Sequence, residues 1–248
     1  MGDTSHGIDY GSYLRLDELL ALQTLQSSPE HPDELLFIIV HQASELWFKV
    51  LRHEIDALIT ALEQFDTMRA LLATQRVNVL TEIIAQQLTA LDTLPPQRFA
   101  QFRGYLGSSS GSQSVQFRAI EATAGLRDPQ FLAAISEHGE VPADVRAALE
   151  RPTLQSLVLD LLLHENVPIE ELYMGPGPTP LFLLVEGLLE FEQRFARWRF
   201  LHVQLVERII GPMTGGSGGT LGAKYLSRTV TQRFFPELWA VRSKFYGR

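Results

Sequence analysis

The chain contains no cysteine. This absence excludes disulfides, thiolate nucleophiles, iron–sulfur clusters and zinc–thiolate sites together. It fits a reducing compartment, and the N-terminal sequence lacks the basic and apolar regions of a secretory signal, so we expect a cytoplasmic location. No apolar run approaches the roughly 20 residues that a membrane span needs, and no membrane association is predicted.

Positive charge is scarce as well. The sequence has 21 Lys and Arg against 29 Asp and Glu, a formal net charge of −8, and no block of basic residues. Affinity for nucleic acid depends on clustered cations that neutralise phosphates. We therefore predict no nucleic-acid partner.

Strand-like alternation and internal repeats are also lacking. Apolar residues recur instead at three- and four-residue steps, which is typical of amphipathic helices. The clearest pattern follows Asp33, the predicted N-cap. The predicted helices lie over 36–58, over 67–91, up to His164 and over about 181–210, and a C-terminal helix is interrupted by Pro236. We expect an all-α bundle that forms one domain over residues 1–248.

Two histidines lie on apolar helix faces in this pattern. His41 follows Phe37 by four residues, and His202 lies within "WRFLHVQLVERII". Each could be an ordinary core histidine that bonds a carbonyl group. Each could also bind a metal, either with a carboxylate such as Glu45 or Glu207, or alone as an axial ligand of haem. Spacing along the sequence leaves these alternatives open.

Two further features are candidates for anion binding. Arg103 follows Phe99 by four residues, so both lie on one helix face, where an arginine can hold a carboxylate or simply end the helix. The glycine-rich sequence 211–222 could cradle an anion with backbone N–H groups or serve as a plain loop. It lacks the Lys-Ser/Thr pair of a phosphate-binding P-loop, so a nucleotide site is not predicted.

Six ordered blocks resemble the tryptophan 2,3-dioxygenase family, from about Tyr10 to Arg242. A single block would be weak evidence, whereas six in the same order are specific. They read "YGSYLRLDELLALQ", "LLFIIVHQASELWFKVLRHEI", "FRGYLGSSSGSQSVQFRAIE", "WRFLHVQLVERIIG", "GSGGTLGAKYL" and "FFPELWAVR".

The resemblance implies an all-helical homotetramer that binds haem b in a pocket between helices. Such an enzyme uses O2 to open the indole ring of L-tryptophan, which gives N-formylkynurenine. It further implies a substrate-contacting N-terminal segment, 1–30, that packs on a neighbouring subunit.

The matching motifs also imply individual roles. His202 becomes the proximal ligand of the haem iron, and His41 becomes the distal histidine near the indole nitrogen. Arg103 becomes the clamp for the substrate carboxylate. The remaining matches are Phe37 and Phe99 in the indole pocket, Ser110 and Gly111 beside haem and substrate, Ser217 at the substrate's charged end, and Tyr10 and Tyr13 from the neighbouring subunit.

Several positions depart from the family pattern. Ser112 stands where the family usually has Phe, Ser217 stands for Thr, and the segment from about Leu163 to Phe191 is abridged. These departures favour a divergent member that acts on tryptophan or on a substituted, for example methylated, tryptophan. Two alternatives stay open: a haem monooxygenase that hydroxylates such a substrate, and a haem- or tryptophan-binding protein without turnover.

Overall fold

The computed structural model describes residues 8–127, 129–136, 139–175, 177–212 and 223–246. Within these ranges the chain forms α-helices and short 3-10 turns, and no strand. The predicted all-α class is confirmed. In the same ranges, no helix is long and apolar enough to cross a membrane.

The helices follow one another in this order. They are α1 (Tyr10–Leu14), α2 (Leu16–Leu19), α3 (Pro32–Glu63), α4 (Thr67–Gln87), α5 (Pro96–Arg103), α6 (Val115–Ala124), α7 (Pro129–Ser136), α8 (Ala143–Glu150), α9 (Leu154–His164), α10 (Glu171–Met174), α11 (Pro180–Ile210), α12 (Ala223–Thr229) and α13 (Pro236–Tyr246). The 3-10 turns are Leu88–Thr93, Gly104–Leu106 and Gly111–Gln113.

The start of α3 differs from the prediction by two residues. His31, not Asp33, is the N-cap, and its Nδ1 accepts a hydrogen bond from the Asp33 N–H at 3.2 Å. Pro32 occupies the first helical position, where its missing N–H costs nothing. Because the proline takes that position, the capping role passes to the residue before it.

Proline also explains the C-terminal difference. Pro236 does not interrupt a helix but begins α13, and the chain turns between Thr229 and Pro236. The predicted helix over 67–91 is α-helical only as far as Gln87 and then tightens into a 3-10 turn.

The bundle is built around α4, which packs against both α3 and α11. Gly187 lets α4 and α11 approach closely, since a Cβ atom there would lie 2.8 Å from Cγ2 of Thr74. At the same crossing, Asn78 Nδ2 donates to the Gly187 carbonyl at 2.9 Å. The close approach and the hydrogen bond therefore fix α11 against α4.

Burial along α3 is uneven, and this asymmetry positions the site. The C-terminal half carries most of the core side chains, including Leu51, Ile55 and Leu58. In the N-terminal half, before Phe48, only Glu34 and Val40 are buried. That half instead meets α5 and the last turns of α11 in a second apolar cluster, which contains Val40, Leu88, Leu91, Leu94, Phe99, Phe102 and Leu205.

A buried carboxylate attaches the C-terminal segment to α11. Glu192, 1% exposed, accepts hydrogen bonds from the backbone N–H groups of Phe234 (2.6 Å) and Phe235 (2.8 Å) through Oε2 and from Trp239 Nε1 (2.6 Å) through Oε1. Arg233 Nη1 also donates to Oε1, at 2.8 Å. Four donors around one carboxylate replace the water that it loses on burial.

We expect Glu192→Ala to lower the free energy of unfolding by about 3–5 kcal/mol, because it leaves two buried N–H groups without an acceptor. Glu190→Ala, on the exposed side of the same helix, should cost below about 1 kcal/mol. Urea unfolding followed by circular dichroism measures both. Equal losses of unfolding free energy in the two variants would show that Glu192 does not attach the C-terminal segment to α11.

Candidate functional site

His41 lies in the open N-terminal half of α3, and its tautomer is set by the backbone. Its Nδ1 lies 2.7 Å from the carbonyl oxygen of Phe37, one turn earlier. A carbonyl can only accept, so Nδ1 carries the proton. In the neutral ring Nε2 then has a free lone pair, which can accept a hydrogen bond from a ligand.

Burial keeps the His41 ring neutral. Desolvation lowers its pKa, while the bond to Phe37 and the nearby Glu45 carboxylate act in the opposite direction. The side chain is nevertheless reachable by water. Both observations hold for a residue inside a recess of the surface, where solvent enters but protein atoms surround the ring.

Aromatic rings line one side of this recess. The Phe37 ring lies 4.2 Å from the His41 ring, centroid to centroid, and 5.5 Å from that of Phe99 on α5. Phe102 closes the group from behind, 5.2 Å from Phe99. The structure thus brings together three of the predicted site residues, His41, Phe37 and Phe99, as one aromatic wall of the recess.

His202 lies on α11, across the recess. Burial, followed by the proximity of His41, lowers its pKa to about 4, so it is neutral at pH 7. Its ring stacks on that of Trp198 at 5.3 Å and 21°. Within the described part of the chain, no hydrogen bond occupies either ring nitrogen. A neutral imidazole with an available nitrogen is the form that binds a metal.

The donor set tests which metal group fits. Among the described residues, no three His, Cys, Asp or Glu side chains come close enough to hold an ion together. A 2-His-1-carboxylate site, left open by the sequence, therefore has no support here. Haem needs only one protein nitrogen and an apolar slot, and His202 beside the second apolar cluster meets both needs.

Arg103 is the last residue of α5 and is half-buried. It follows Phe99 by one helical turn, so the two side chains leave the same face of the helix. The cation therefore stands at the edge of the aromatic wall, where it can meet the charged end of a ligand whose ring lies against Phe99.

The loop after α5 carries two further predicted residues. Ser110 is half-buried and its N–H donates to Oε1 of Gln113 at 3.2 Å, while Gly111 begins the 3-10 turn that leads into α6. The Gln113 side chain also reaches the Ser108 carbonyl at 3.3 Å. The loop is thus folded onto itself by one amide group.

Two predicted residues, Tyr10 and Tyr13, are not brought into the recess. Tyr10 and Tyr13 lie on α1, 75% and 74% exposed. Neither α1 nor α2 has a buried residue. Ser217 falls outside the described residues.

The sequence interpretation missed an aromatic group behind His202. Trp198 packs 4.8 Å from Phe117 on α6 and 6.3 Å from Phe48 on α3, and Phe117 stacks on Phe195 at 5.3 Å. The Nε1 atom of Trp198 is buried without a hydrogen-bond partner in the described chain. The one available signal was the four-residue spacing of Trp198 and His202.

These features define a class: an all-helical protein in which two neutral histidines, His41 on α3 and His202 on α11, lie near each other beside aromatic side chains. The sequence profile described as tryptophan 2,3-dioxygenase matches residues 1–164 and 172–245. The chain belongs to the tryptophan 2,3-dioxygenase family.

Individual relatives agree with the profile. A tryptophan 2,3-dioxygenase of Bacillus cereus is 37% identical over 98% of this chain and 94% of its own length. Those of Kineococcus radiotolerans and Herpetosiphon aurantiacus are each 38% identical, over 98% and 96% of this chain and 93% and 99% of their own lengths. The similarity therefore extends over nearly the whole protein.

Proposed function

We propose that the protein is a haem-dependent oxygenase that inserts O2 into the indole ring of L-tryptophan or a substituted tryptophan, with an N-formylkynurenine-type product. The observation that carries the proposal is the pair of neutral histidines, His41 and His202, on opposite walls of one aromatic recess. Family membership supports it, because the tryptophan 2,3-dioxygenase family is haem-dependent in general.

His202 would hold the iron of haem b. Its low pKa keeps the ring unprotonated down to about pH 4, so no proton competes with the metal at neutral pH. Ser110 and Gly111 would border the cofactor from the loop before α6. When bound, haem supplies the activation of O2, and the protein supplies orientation and a dry pocket.

His41 would orient the indole ring. Its Nδ1–H is held by the Phe37 carbonyl, which leaves the Nε2 lone pair to accept the indole N–H. Phe37 and Phe99 would enclose the ring on its apolar side and exclude water. Fixing the reacting bond in this way accounts for several kcal/mol of barrier in enzymes of many kinds.

Arg103 would bind the substrate carboxylate at the other end of the amino acid. A guanidinium can donate two parallel hydrogen bonds to a carboxylate, which fixes direction as well as position. Ser217, which replaces the family's Thr, would meet the same charged end. Tyr10 and Tyr13 would reach the pocket from a neighbouring copy.

The exposed N-terminal arm (residues 8–22) supports a homotetramer in which arms pack on neighbours. Its large apolar side chains, among them Ile8 at 79% and Leu20 at 72% exposed, have no core of their own. Sedimentation of the full chain and of a chain without the arm would test this; unchanged assembly would contradict it.

One domain over 1–248 and a cytoplasmic location stay predictions.

We expect His202→Ala to abolish stable haem binding, because it removes the ring nitrogen that would hold the iron. His53→Ala, an exposed histidine on α3, should bind haem as the unmodified protein does. Titration of each protein with haem, followed by its absorption spectrum, gives the comparison. Normal haem binding by His202→Ala would overturn the ligand assignment.

Arg103→Ala should raise the Kd for L-tryptophan about 10- to 100-fold, the effect of losing charge-assisted hydrogen bonds. Tryptamine lacks the carboxylate, so its Kd should change little. Arg98→Ala is the matched control on α5, since Arg98 pairs with Asp33. Equal weakening of both ligands would argue against a carboxylate clamp.

The product mass tests the reaction itself. The haem-loaded, reduced protein is supplied with ¹⁸O2 and with L-tryptophan or its methylated analogues. We expect two labelled oxygen atoms in one product. One labelled atom would instead indicate a monooxygenase on the same fold, and binding without product would leave a haem- and tryptophan-binding protein.

A further inference from the structure

Arg199 is a buried charge that the proposed site does not use. It lies on α11, one turn before His202, and is 3% exposed. Its guanidinium lies against the rings of both Phe195 and Phe234, at 5.0 and 5.1 Å from their centroids. Arginine is almost never buried to this extent unless its charge is paired, so its contacts indicate what it holds.

Those contacts join three parts of the chain. Nη2 donates to Oε1 of Glu121 on α6 at 2.6 Å. Nη1 donates to the carbonyl oxygen of Thr229, the last residue of α12, at 3.1 Å, and the Gln232 carbonyl lies at 3.5 Å. One side chain of α11 thus grips α6 and the end of α12 at the same time.

Charge balance alone does not account for this arrangement. Glu121, 1% exposed, already has a cation beside it, because Arg118 Nη1 lies 2.9 Å from its other oxygen. Arg199 therefore adds a second positive charge to a neutralised carboxylate. What it contributes beyond neutralisation is the bond to a backbone carbonyl, and that bond fixes where the chain runs.

The two helices that Arg199 contacts, α6 and α12, each lie next to a sequence that is predicted to bind a ligand. In the sequence, α12 comes directly after the glycine-rich stretch that contains Ser217. Helix α6 begins four residues after Gly111. The side chain that links them stands on the helix that carries His202.

We propose that Arg199 is a positioning residue. It fixes α12 to α11, the helix that carries His202, and thereby sets the affinity for the amino-acid substrate. The inference rests on the proposed function for its substrate, while the anchoring of α12 is independent of it. Arg199 does not touch the recess in the described chain. It acts through the chain segment that it holds.

The fork of the guanidinium is what the proposal requires. The two Nη atoms donate to different acceptors, and the flat group lies against two aromatic rings. Lysine would keep the charge and the pairing with Glu121 but offers a single nitrogen. Arg199→Lys therefore separates the two functions, since it preserves charge balance and removes simultaneous contact with Thr229.

The experiment compares Arg199→Lys with Arg197→Lys, a control two residues away whose side chain is exposed and pairs with Glu82. Hydrogen exchange of residues 223–235 reports the anchor without any ligand. Haem titration, the Kd for L-tryptophan, KM and kcat report its consequence. Glu121→Gln, which keeps an acceptor oxygen and loses the charge, serves as a second variant if Arg199→Lys does not fold.

For Arg199→Lys we expect faster exchange in α12, an unchanged haem affinity, a Kd and KM for tryptophan raised about tenfold, and a kcat within about threefold of the unmodified enzyme. The control should match the unmodified protein throughout. Unchanged exchange in α12 overturns the anchor. Faster exchange with an unaltered KM, or with a loss of haem affinity, overturns the positioning role.

The two proposals can fail separately. If the unmodified protein binds neither haem nor tryptophan, the proposed function is wrong, and the substrate part of this inference falls with it. Exchange in α12 then still decides whether Arg199 is its anchor.

Discussion

Desolvation of two facing imidazoles is the constraint on which the site depends. His41 and His202 lie on apolar faces of α3 and α11, and burial in such surroundings disfavours their charged forms. The neutral ring is the form that both proposed roles need: one nitrogen to bind iron, another to accept an indole N–H. Desolvation thus keeps both imidazoles in the neutral form.

Two buried charged residues of α11 bind the C-terminal segment of the chain. Glu192 and Arg199 are seven residues apart, two helical turns, and both are buried against the C-terminal segment. Glu192 accepts hydrogen bonds from four donors, and the two Nη atoms of Arg199 donate to Glu121 and to the Thr229 carbonyl, so these bonds replace part of the lost hydration. Helix α11 therefore has two kinds of buried polar side chain. His202 is a neutral ring that is proposed to bind a ligand, whereas Glu192 and Arg199 fix neighbouring segments with ionic hydrogen bonds.

Much of the fold could be predicted from local pattern. The periodicity of 36–58 and 181–210 located α3 and α11, because an amphipathic face leaves its signature every three or four residues. The predicted helix boundaries differ from the observed ones where a single proline sets the start of a helix. Pro32 displaced the cap of α3 to His31, whose imidazole is not among the usual capping groups. Pro236 within an apolar pattern predicts a break, but it begins α13, because proline at a first helical position is also a start signal.

Contacts within the site also differ in how far the local sequence predicts them. Phe37 and His41 are one turn apart, so their contact follows from helix geometry once the helix is known. Their meeting with Phe99 came only through the family resemblance, since Phe99 follows His41 by 58 residues in the chain. Arg199 shows the remaining limit. An arginine three residues before a histidine in a polar-looking "RWRFLH" reads as a surface residue, and nothing in the local sequence names Glu121 or the Thr229 carbonyl as its partners. Such a pairing exists only after α6, α11 and α12 have come together, so its role has to be inferred from the packed structure.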